Sequence, residues 1–257
     1  MVFSVGGGEV TIKHEKSFVV HHLKAVDYFE STARDIETEY EEELWHDLPT
    51  DTREEYSICT TSGVIRSVAF LEATINEMIR RITVDESQPT SGYMIHPDLR
   101  TAVGPEKARK LIQDRIPTLD KFDELLSDSG EKPIPTGEGI GQQTKAVIDL
   151  RNHFVHYESE MLPPDELPEA AGCLPKEVRW SNPFETGQMA PIDRCLGFKM
   201  IEWAVDSCFG YTEEFFDQLD IESDVSQNAQ PVEALAVDEN PARPYIVVLD
   251  ELDHSYR

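Results

Sequence analysis

Apolar residues recur at three- and four-residue spacing in two long stretches of the chain. In 18–45 the small or apolar positions are Val19, Leu23, Val26, Ala33, Ile36, Tyr40 and Leu44. In 53–83, which follows a capping-box pattern at Thr52-x-x-Glu55, they are Val64, Val68, Leu71, Ile75, Met78 and Ile82. Residues at this spacing share one helix face, so both stretches are predicted amphipathic helices. The short turn near Pro49 predicts that they pack antiparallel.

The later pattern predicts four further helices, at 105–116, 118–127, 142–161 and 191–219. Proline supports two of these boundaries, since Pro105 suits the first turn of a helix and Pro117 interrupts one. Segments rich in Gly, Pro and polar residues predict loops or connections at 86–102, 130–141 and 162–190.

Together these elements predict an all-α fold, a bundle of about five main helices. The predicted domain spans 17–219, after a flexible N-terminus at 1–16 and before a mostly disordered acidic tail at 220–257. A chain of 257 residues is long enough to bury a substantial core, and the residues expected inside it include Leu71, Ile75, Phe154 and Trp203. Within the tail, the β-prone segment 244–250 is compatible with a strand, a docking segment or neither.

The charge balance is strongly acidic. Asp and Glu number 50 against 23 Lys and Arg, for a net charge of −27. This favours a protein of a halophilic archaeon, whose carboxylates keep the surface hydrated at high salt; an ordinary acidic protein with an acidic tail is the alternative. At molar salt the Debye length falls to about 3 Å, so only charges lining a site would affect an anionic ligand. The acidity therefore argues against a broad nucleic-acid surface but not against a local RNA site.

The four cysteines lack C-x-x-C pairing, the first residues lack a signal-peptide pattern, and no run approaches ~18 apolar residues. These features predict a soluble cytoplasmic protein with reduced thiols and no membrane association. The glycine-rich segment 137–145 lacks the Gly-Lys-Ser/Thr of a phosphate-binding loop. No cofactor is predicted.

The segment 149–157 contains the run Arg151-Asn152-x-x-x-His156, which combines a permanent cation, an amide and an imidazole. An imidazole can take a proton from a 2′-hydroxyl, and a guanidinium can stabilise the charge that builds on a phosphate. These are the groups needed to cleave RNA without a metal. The other cations near this run in sequence are few, so the sequence shows no basic groove.

In the predicted helix, four polar residues share one face: Asp149, Asn152, His153 and His156. A second face, which should pack on the core, holds Leu150, Phe154 and Tyr157. Arg151 lies about 140° around the helix from His156 and has to reach across with its long side chain. The structural alternative is an exposed polar face with Arg151 in a salt bridge.

At these residues the sequence resembles the HEPN superfamily, all-helical domains whose ribonuclease members carry Arg-x(4–6)-His, often with a polar residue after the Arg. Arg151, Asn152 and His156 match those positions, and 67–77 is similar to an early helix of such domains. The resemblance implies a metal-independent endoribonuclease acting in RNA processing, defence or a toxin–antitoxin pair. His156 would be the general base, Arg151 the group that stabilises the phosphorane, and Asn152 the residue that orients Arg151 or the phosphate.

The resemblance also implies a homodimer in which two motif helices face each other, and products with 2′,3′-cyclic phosphate and 5′-hydroxyl ends. An antitoxin or other protein is a further possible partner. The competing hypothesis is a non-catalytic helical module that binds a protein or nucleotide and keeps the motif as a structural polar network.

Two further groups of residues have a predicted supporting role. Glu72 and Asn76 lie beside the core face of the second helix, where a carboxylate needs a partner; Arg151 is the candidate, and a purely structural hydrogen bond is the alternative. Asp149, His153 and His156 have the spacing of zinc ligands. That metal alternative lacks a fourth ligand and has a cation beside it, so the expected site is metal-free.

Overall fold

The computed structural model describes residues 2–5, 8–11, 18–83, 97–156, 172–184 and 191–221. Within them lie the α-helices α1 Phe18–Glu39, α2 Thr50–Thr83, α3 Pro97–Val103, α4 Pro105–Gln113, α5 Thr118–Ser129, α6 Gly139–Val155, α7 Lys176–Arg179 and α8 Phe198–Gln218. A short 3-10 helix, Pro191–Cys195, precedes α8. The domain is all-α, as predicted, although the short α3, α4 and α7 make the helices of the described part more numerous than the five or so main ones expected.

Two short strands lie in the segment predicted as a flexible N-terminus. Strands β1 (Val2–Val5) and β2 (Gly8–Thr11) pair antiparallel, with Val2 opposite Thr11 and Val5 opposite Gly8. The hairpin is separate in sequence from the helices.

Helix α2 is the central element, since it contacts α1, α3, α4, α5, α6 and α8. Its predicted core stripe is confirmed, because all six of its residues are buried: Val64, Val68, Leu71, Ile75, Met78 and Ile82. Gly63 permits a close crossing with α8, since a Cβ at this position would lie 2.7 Å from the side chain of Ile201.

Helix α1 packs antiparallel to α2, as predicted. Near the start of α1, His22 contacts Arg66 in the middle of α2, with Nδ1 3.3 Å from a guanidinium nitrogen. Near the end of α1, Glu37 accepts a hydrogen bond from the hydroxyl of Tyr56 in the first turns of α2, at 2.7 Å. The two helices therefore run in opposite directions.

The long α2 would by length and composition also suit a membrane span, alone among the described helices. One 18-residue window has a mean hydropathy of 1.2, and 56% of that window is buried against the rest of the bundle. A core helix of a helical bundle has the same properties, and α2 occupies that position here.

The ends of the first two helices differ from the prediction. Helix α1 ends at Glu39 rather than at residue 45, and turns follow it. Four acidic residues at 39 and 41–43 oppose continuation, because the C-terminal end of a helix disfavours negative charge. Helix α2 begins at Thr50, so Thr52 lies inside its first turn and the predicted capping box does not form.

Two further boundaries were predicted wrongly. Residues 97–102 were assigned to a loop but belong to α3, whereas 86–96 lie outside the described residues. The predicted last helix 191–219 is interrupted before Phe198. A Cβ at Gly197 would lie 2.3 Å from the carbonyl oxygen of Ser181, so the backbone passes close to Ser181 at this position. The 3-10 helix ends before Gly197, and α8 begins after it.

Burial confirms most of the predicted core. Leu71 and Ile75 are fully buried, but Phe154 and Trp203 are only partly buried and pack at the edge of the core. The sequence pattern assigned both residues to the interior, but in the structure they lie at its border. The tail segment 244–250 lies outside the described residues.

A buried carboxylate connects α1, α2 and the start of α8. Oε1 of Glu37 accepts hydrogen bonds from the hydroxyl of Tyr56 at 2.7 Å and from the backbone N–H of Phe198 at 2.8 Å. The latter is an otherwise unpaired donor of the first turn of α8, where a helix favours an anion. Burial raises the pKa of Glu37, and these two hydrogen bonds oppose the shift. Arg34, which pairs with Glu202 at 2.8 Å, adds a second link between α1 and α8.

We predict that Glu37→Ala lowers the free energy of unfolding by about 1.5–3 kcal/mol, the usual range for hydrogen bonds to a charged group. Glu37→Gln keeps an oxygen acceptor without the buried charge and should cost less. Urea unfolding in high salt measures both. An alanine variant as stable as the glutamine variant would contradict this role.

The pH dependence follows from the raised pKa of Glu37. Because the folded-state pKa exceeds the unfolded one, the stabilisation is complete below the unfolded value and declines as pH rises through the folded value. The stability of the wild type relative to Glu37→Gln should therefore fall as pH increases across that window.

Candidate functional site

The motif helix α6 is fixed on the core by its other face. Val147 and Leu150 are fully buried, and the Thr144 hydroxyl donates to the backbone oxygen of Ser207 in α8 at 2.8 Å. A Cβ at Gly141 would lie 2.1 Å from the backbone oxygen of Pro135, so the lead-in loop crosses the helix start closely. The residues that follow Leu150 are therefore held in a defined position relative to α2 and α8.

The helix ends earlier than predicted, at Val155 instead of residue 161. His156 is the C-cap residue, with φ −111° and ψ 36°, and its backbone N–H donates to the oxygen of Asn152 at 2.8 Å. Its side chain is exposed, as is that of Val155. His156 thus follows the helix and does not lie on its regular face. Tyr157, predicted to face the core, lies outside the described residues.

Arg151 crosses from α6 to α2 and pairs with Glu72. Its Nη2 contacts Oε1 of Glu72, and its Nη1 donates to Oδ1 of Asn152 at 3.1 Å. The hydroxyl of Thr118, at the start of α5, donates to the same Glu72 oxygen at 3.3 Å. The prediction that Arg151 is the partner of Glu72 is confirmed. Asn152 also makes the contact expected of a residue that orients the guanidinium.

Asn76 lies one turn further along α2 and contacts α5. Lys121 donates to Oδ1 of Asn76 at 2.7 Å. Burial lowers the pKa of Lys121, and the nearby Glu72 carboxylate opposes the shift. The lysine is therefore partly withdrawn from water and lies within electrostatic range of the Arg151–Glu72 pair.

His22 reaches the same region from α1. Burial lowers its pKa, Arg66 and His21 lower it further, and the Glu72 carboxylate raises it. Four helices thus contribute to one group of side chains, which we call the polar cluster: His22, Arg66, Glu72, Asn76, Thr118, Lys121, Arg151 and Asn152.

The sequence identified half of this cluster and missed His22, Arg66, Thr118 and Lys121. Each of the four lies on a predicted helix, but the periodicity does not indicate which helix packs beside which. Their only sequence feature is a polar residue flanking a core position, as His22 flanks Leu23.

The polar cluster differs in charge from the chain as a whole. Arg66, Lys121 and Arg151 outnumber the single carboxylate of Glu72, whereas the whole chain carries a net charge of −27. The sequence showed no basic groove because these cations are far apart along the chain. Folding brings them together.

The residues proposed as metal ligands are not assembled as a metal site. Lys145 donates to Oδ2 of Asp149 at 2.5 Å, and the ring of His153 lies against Phe154 with centroids 6.2 Å apart. No group of three His, Cys, Asp or Glu within the described residues has the arrangement of a metal site. The geometry gives no support to the zinc alternative.

No model of a protein family matches the chain, and comparison with curated proteins and with solved structures gives no significant match. The similarity to HEPN domains therefore rests on residues of this sequence alone, chiefly Arg151, Asn152 and His156.

The Arg151–Glu72 pair should contribute measurably to stability, because its side chains are only 21% and 38% exposed and a third group binds the same carboxylate. A double-mutant cycle of Arg151→Ala and Glu72→Ala should give a coupling energy of about 1 kcal/mol. Unfolding in urea at several salt concentrations measures it.

The matched control is the pair Lys145–Asp149 on the same helix, whose side chains are 53% and 43% exposed. Its coupling should be about 0.3–0.5 kcal/mol and should weaken more with salt. Equal coupling energies for both pairs would show that the contact with α2 stabilises the fold no more than an exposed ion pair within one helix.

Proposed function

We propose that the chain is a metal-independent endoribonuclease of the HEPN type. The observation that carries the proposal is the position of Arg151. Its guanidinium is held by Glu72 and Asn152 among other cations, while His156 is exposed at the end of the same helix. This combination supplies a fixed positive group and an accessible imidazole on one helix, in a chain that is otherwise acidic.

In the proposed reaction, the imidazole of His156 takes the proton of a 2′-hydroxyl, and that oxygen attacks the adjacent phosphorus. The bond to the 5′-oxygen of the next nucleotide breaks, which leaves a 2′,3′-cyclic phosphate and a 5′-hydroxyl end. Arg151 stabilises the charge on the phosphorane. A guanidinium has five N–H donors, and the described contacts of Arg151 use two of its nitrogens, so donors remain for phosphate oxygens.

The leaving 5′-oxygen needs a proton, and one motif offers no second acid once His156 serves as the base. Two copies of the motif would supply both groups, which supports the proposed homodimer. The exposed end of α6, with Val155 50% accessible, is a suitable place for the two copies to meet.

The same contacts favour one competing function. An arginine that links α6 to α2 through Glu72 also stabilises the bundle, so the motif is compatible with a non-catalytic module that binds a protein or nucleotide. Measurement of cleavage separates these two possibilities.

We predict cleavage of single-stranded RNA in high salt with a chelator present. His156→Ala should lower the rate by about 10²–10⁴-fold, the usual cost of losing a positioned base. Arg151→Lys should be nearly as damaging as Arg151→Ala, because an ammonium keeps the charge but loses the planar fork.

His46→Ala is the matched control, since His46 is an exposed histidine in the turn between α1 and α2. It should leave the rate unchanged. Intact RNA after incubation with the folded wild type would reject the enzyme hypothesis, and activity lost to the chelator and restored by zinc would favour the metal alternative.

The proposed homodimer can be tested by the mass of the protein in solution. Sedimentation in molar salt should give twice the monomer mass, and Asn152→Trp should weaken association because it places a bulky side chain at the motif end of α6. Gln143→Trp, at an exposed position on the opposite side of the same helix, should not. A monomer at micromolar concentration would exclude a composite site.

A further inference from the structure

An open groove of about 370 Å³ adjoins the polar cluster. Helix α2 contributes most of its lining, and α1, α4 and α5 each contribute one residue; the lining consists of Phe18, Ala73, Asn76, Glu77, Arg80, Ile112 and Lys121. Asn76 and Lys121 belong both to this groove and to the polar cluster. The two features are therefore continuous, and a ligand can occupy both at once.

The apolar part of the groove is accessible to a ligand. Phe18 is 58% exposed and Ile112 is 42% exposed, so both side chains can contact a ligand. The ring of His21 lies 6.2 Å from that of Phe18 and is tilted by 57° to it, so the ring of Phe18 alone is the flat surface at this end of the groove. A flat ligand can stack on such a surface.

The polar part of the groove is suited to an anionic ligand with hydrogen-bonding edges. Arg80 and Lys121 contribute two positive charges to the lining, and Glu77, which pairs with Arg81 at 2.5 Å, contributes one negative charge. Because Lys121 can only donate, the oxygen of Asn76 faces it, at 2.7 Å. The described contacts leave the two N–H donors of the Asn76 amide to a ligand.

We propose that this groove binds a nucleobase of single-stranded RNA, next to the nucleotide whose phosphate Arg151 contacts. This inference rests on the proposed ribonuclease function and names how its substrate is held. Phe18 stacks on the base, Asn76 hydrogen-bonds its edge, and Lys121 pairs with the flanking phosphate. Asn76 follows Glu72 by four residues, about 6 Å along α2, so the base subsite and the phosphate subsite are adjacent on one helix.

Single-stranded RNA fits these features better than a duplex, because base stacking on a side chain requires an unpaired base. It also fits them better than a plain anion, since Phe18, Ala73 and Ile112 give the groove an apolar part. The volume lies at the lower end of the range of about 300–1,000 Å³ typical of ligand pockets. The groove therefore suits one nucleotide unit better than a larger folded ligand.

The test measures binding without cleavage. A fluorescently labelled, fully 2′-O-methylated RNA lacks the hydroxyl that attacks, so anisotropy titrations at fixed salt report affinity alone. Phe18→Ala should raise Kd by about 10- to 100-fold, as expected for the loss of one base–aromatic stack. Tyr28→Ala is the matched control, because Tyr28 is a 63% exposed aromatic residue of the same helix outside the groove. It should leave Kd unchanged.

A second oligonucleotide tests whether the base itself is bound. The same backbone with abasic positions should bind the wild type about as weakly as the intact RNA binds Phe18→Ala, and Phe18→Ala should weaken it no further. Equal affinity of the wild type for abasic and intact RNA would overturn the inference, as would equal effects of Phe18→Ala and Tyr28→Ala.

A third variant keeps the inference testable if Phe18→Ala does not fold. Lys121→Gln should reduce the slope of log K against log salt by about 0.7, the value for one phosphate of a single strand. Lys110→Gln, at a 66% exposed side chain of α4, should leave the slope unchanged. Equal slopes for both variants would show that Lys121 does not pair with a phosphate of the bound RNA.

Cleavage assays on ordinary RNA separate this inference from the proposed function. Cleavage by the wild type together with base-independent binding would leave the ribonuclease proposal standing and overturn the base subsite. Base-dependent binding without cleavage would support the subsite and reject the ribonuclease.

Discussion

The burial of α2 is the constraint on which the rest of the structure depends. Six helices pack around it, and 14 of its 34 residues are buried. Part of its remaining surface is an open strip whose members follow each other at spacings of three or four: Ile58, Ser62, Arg66, Ala69, Ala73, Asn76 and Arg80, with Glu72 beside them. Polar side chains on this strip can reach water or a partner on a neighbouring helix. The neighbouring helices place their own polar residues against it for the same reason.

This arrangement makes the proposed anion site compatible with a strongly acidic chain. At molar salt the screening length is about 3 Å, so the carboxylates spread over the surface have little effect on the open strip of α2. Contacts at hydrogen-bond distance persist, such as Arg151 with Glu72 and Lys121 with Asn76. The field at the site is therefore set by the few charges that line it, and among these the cations are in excess.

Features that depend on the residue pattern within one helix were predicted correctly. Features that depend on packing against a second helix were not. The stripe of α2 and the need of Glu72 for a partner follow from local spacing, and both were predicted correctly. The end of α6 at Val155 did not follow, because no Pro or Gly occurs before Pro163. The roles of His22 and Lys121 could not be predicted, since they depend on which helices are neighbours. Trp203 was assigned to the core because periodicity gives the direction of a side chain but not how far a neighbouring helix covers it.

The two halves of the motif differ in how firmly the fold holds them, and this difference bears on the proposed chemistry. Arg151 lies within α6 and is fixed by contacts with Glu72 and Asn152, so its charge is placed before a substrate arrives. His156 is the C-cap residue, and its exposed ring has no hydrogen bond to another described residue. Proton transfer requires the imidazole within about 3 Å of the hydroxyl. In the proposed reaction the bundle would therefore preorganise phosphate binding, and RNA or a second copy of the chain would have to complete the position of the base.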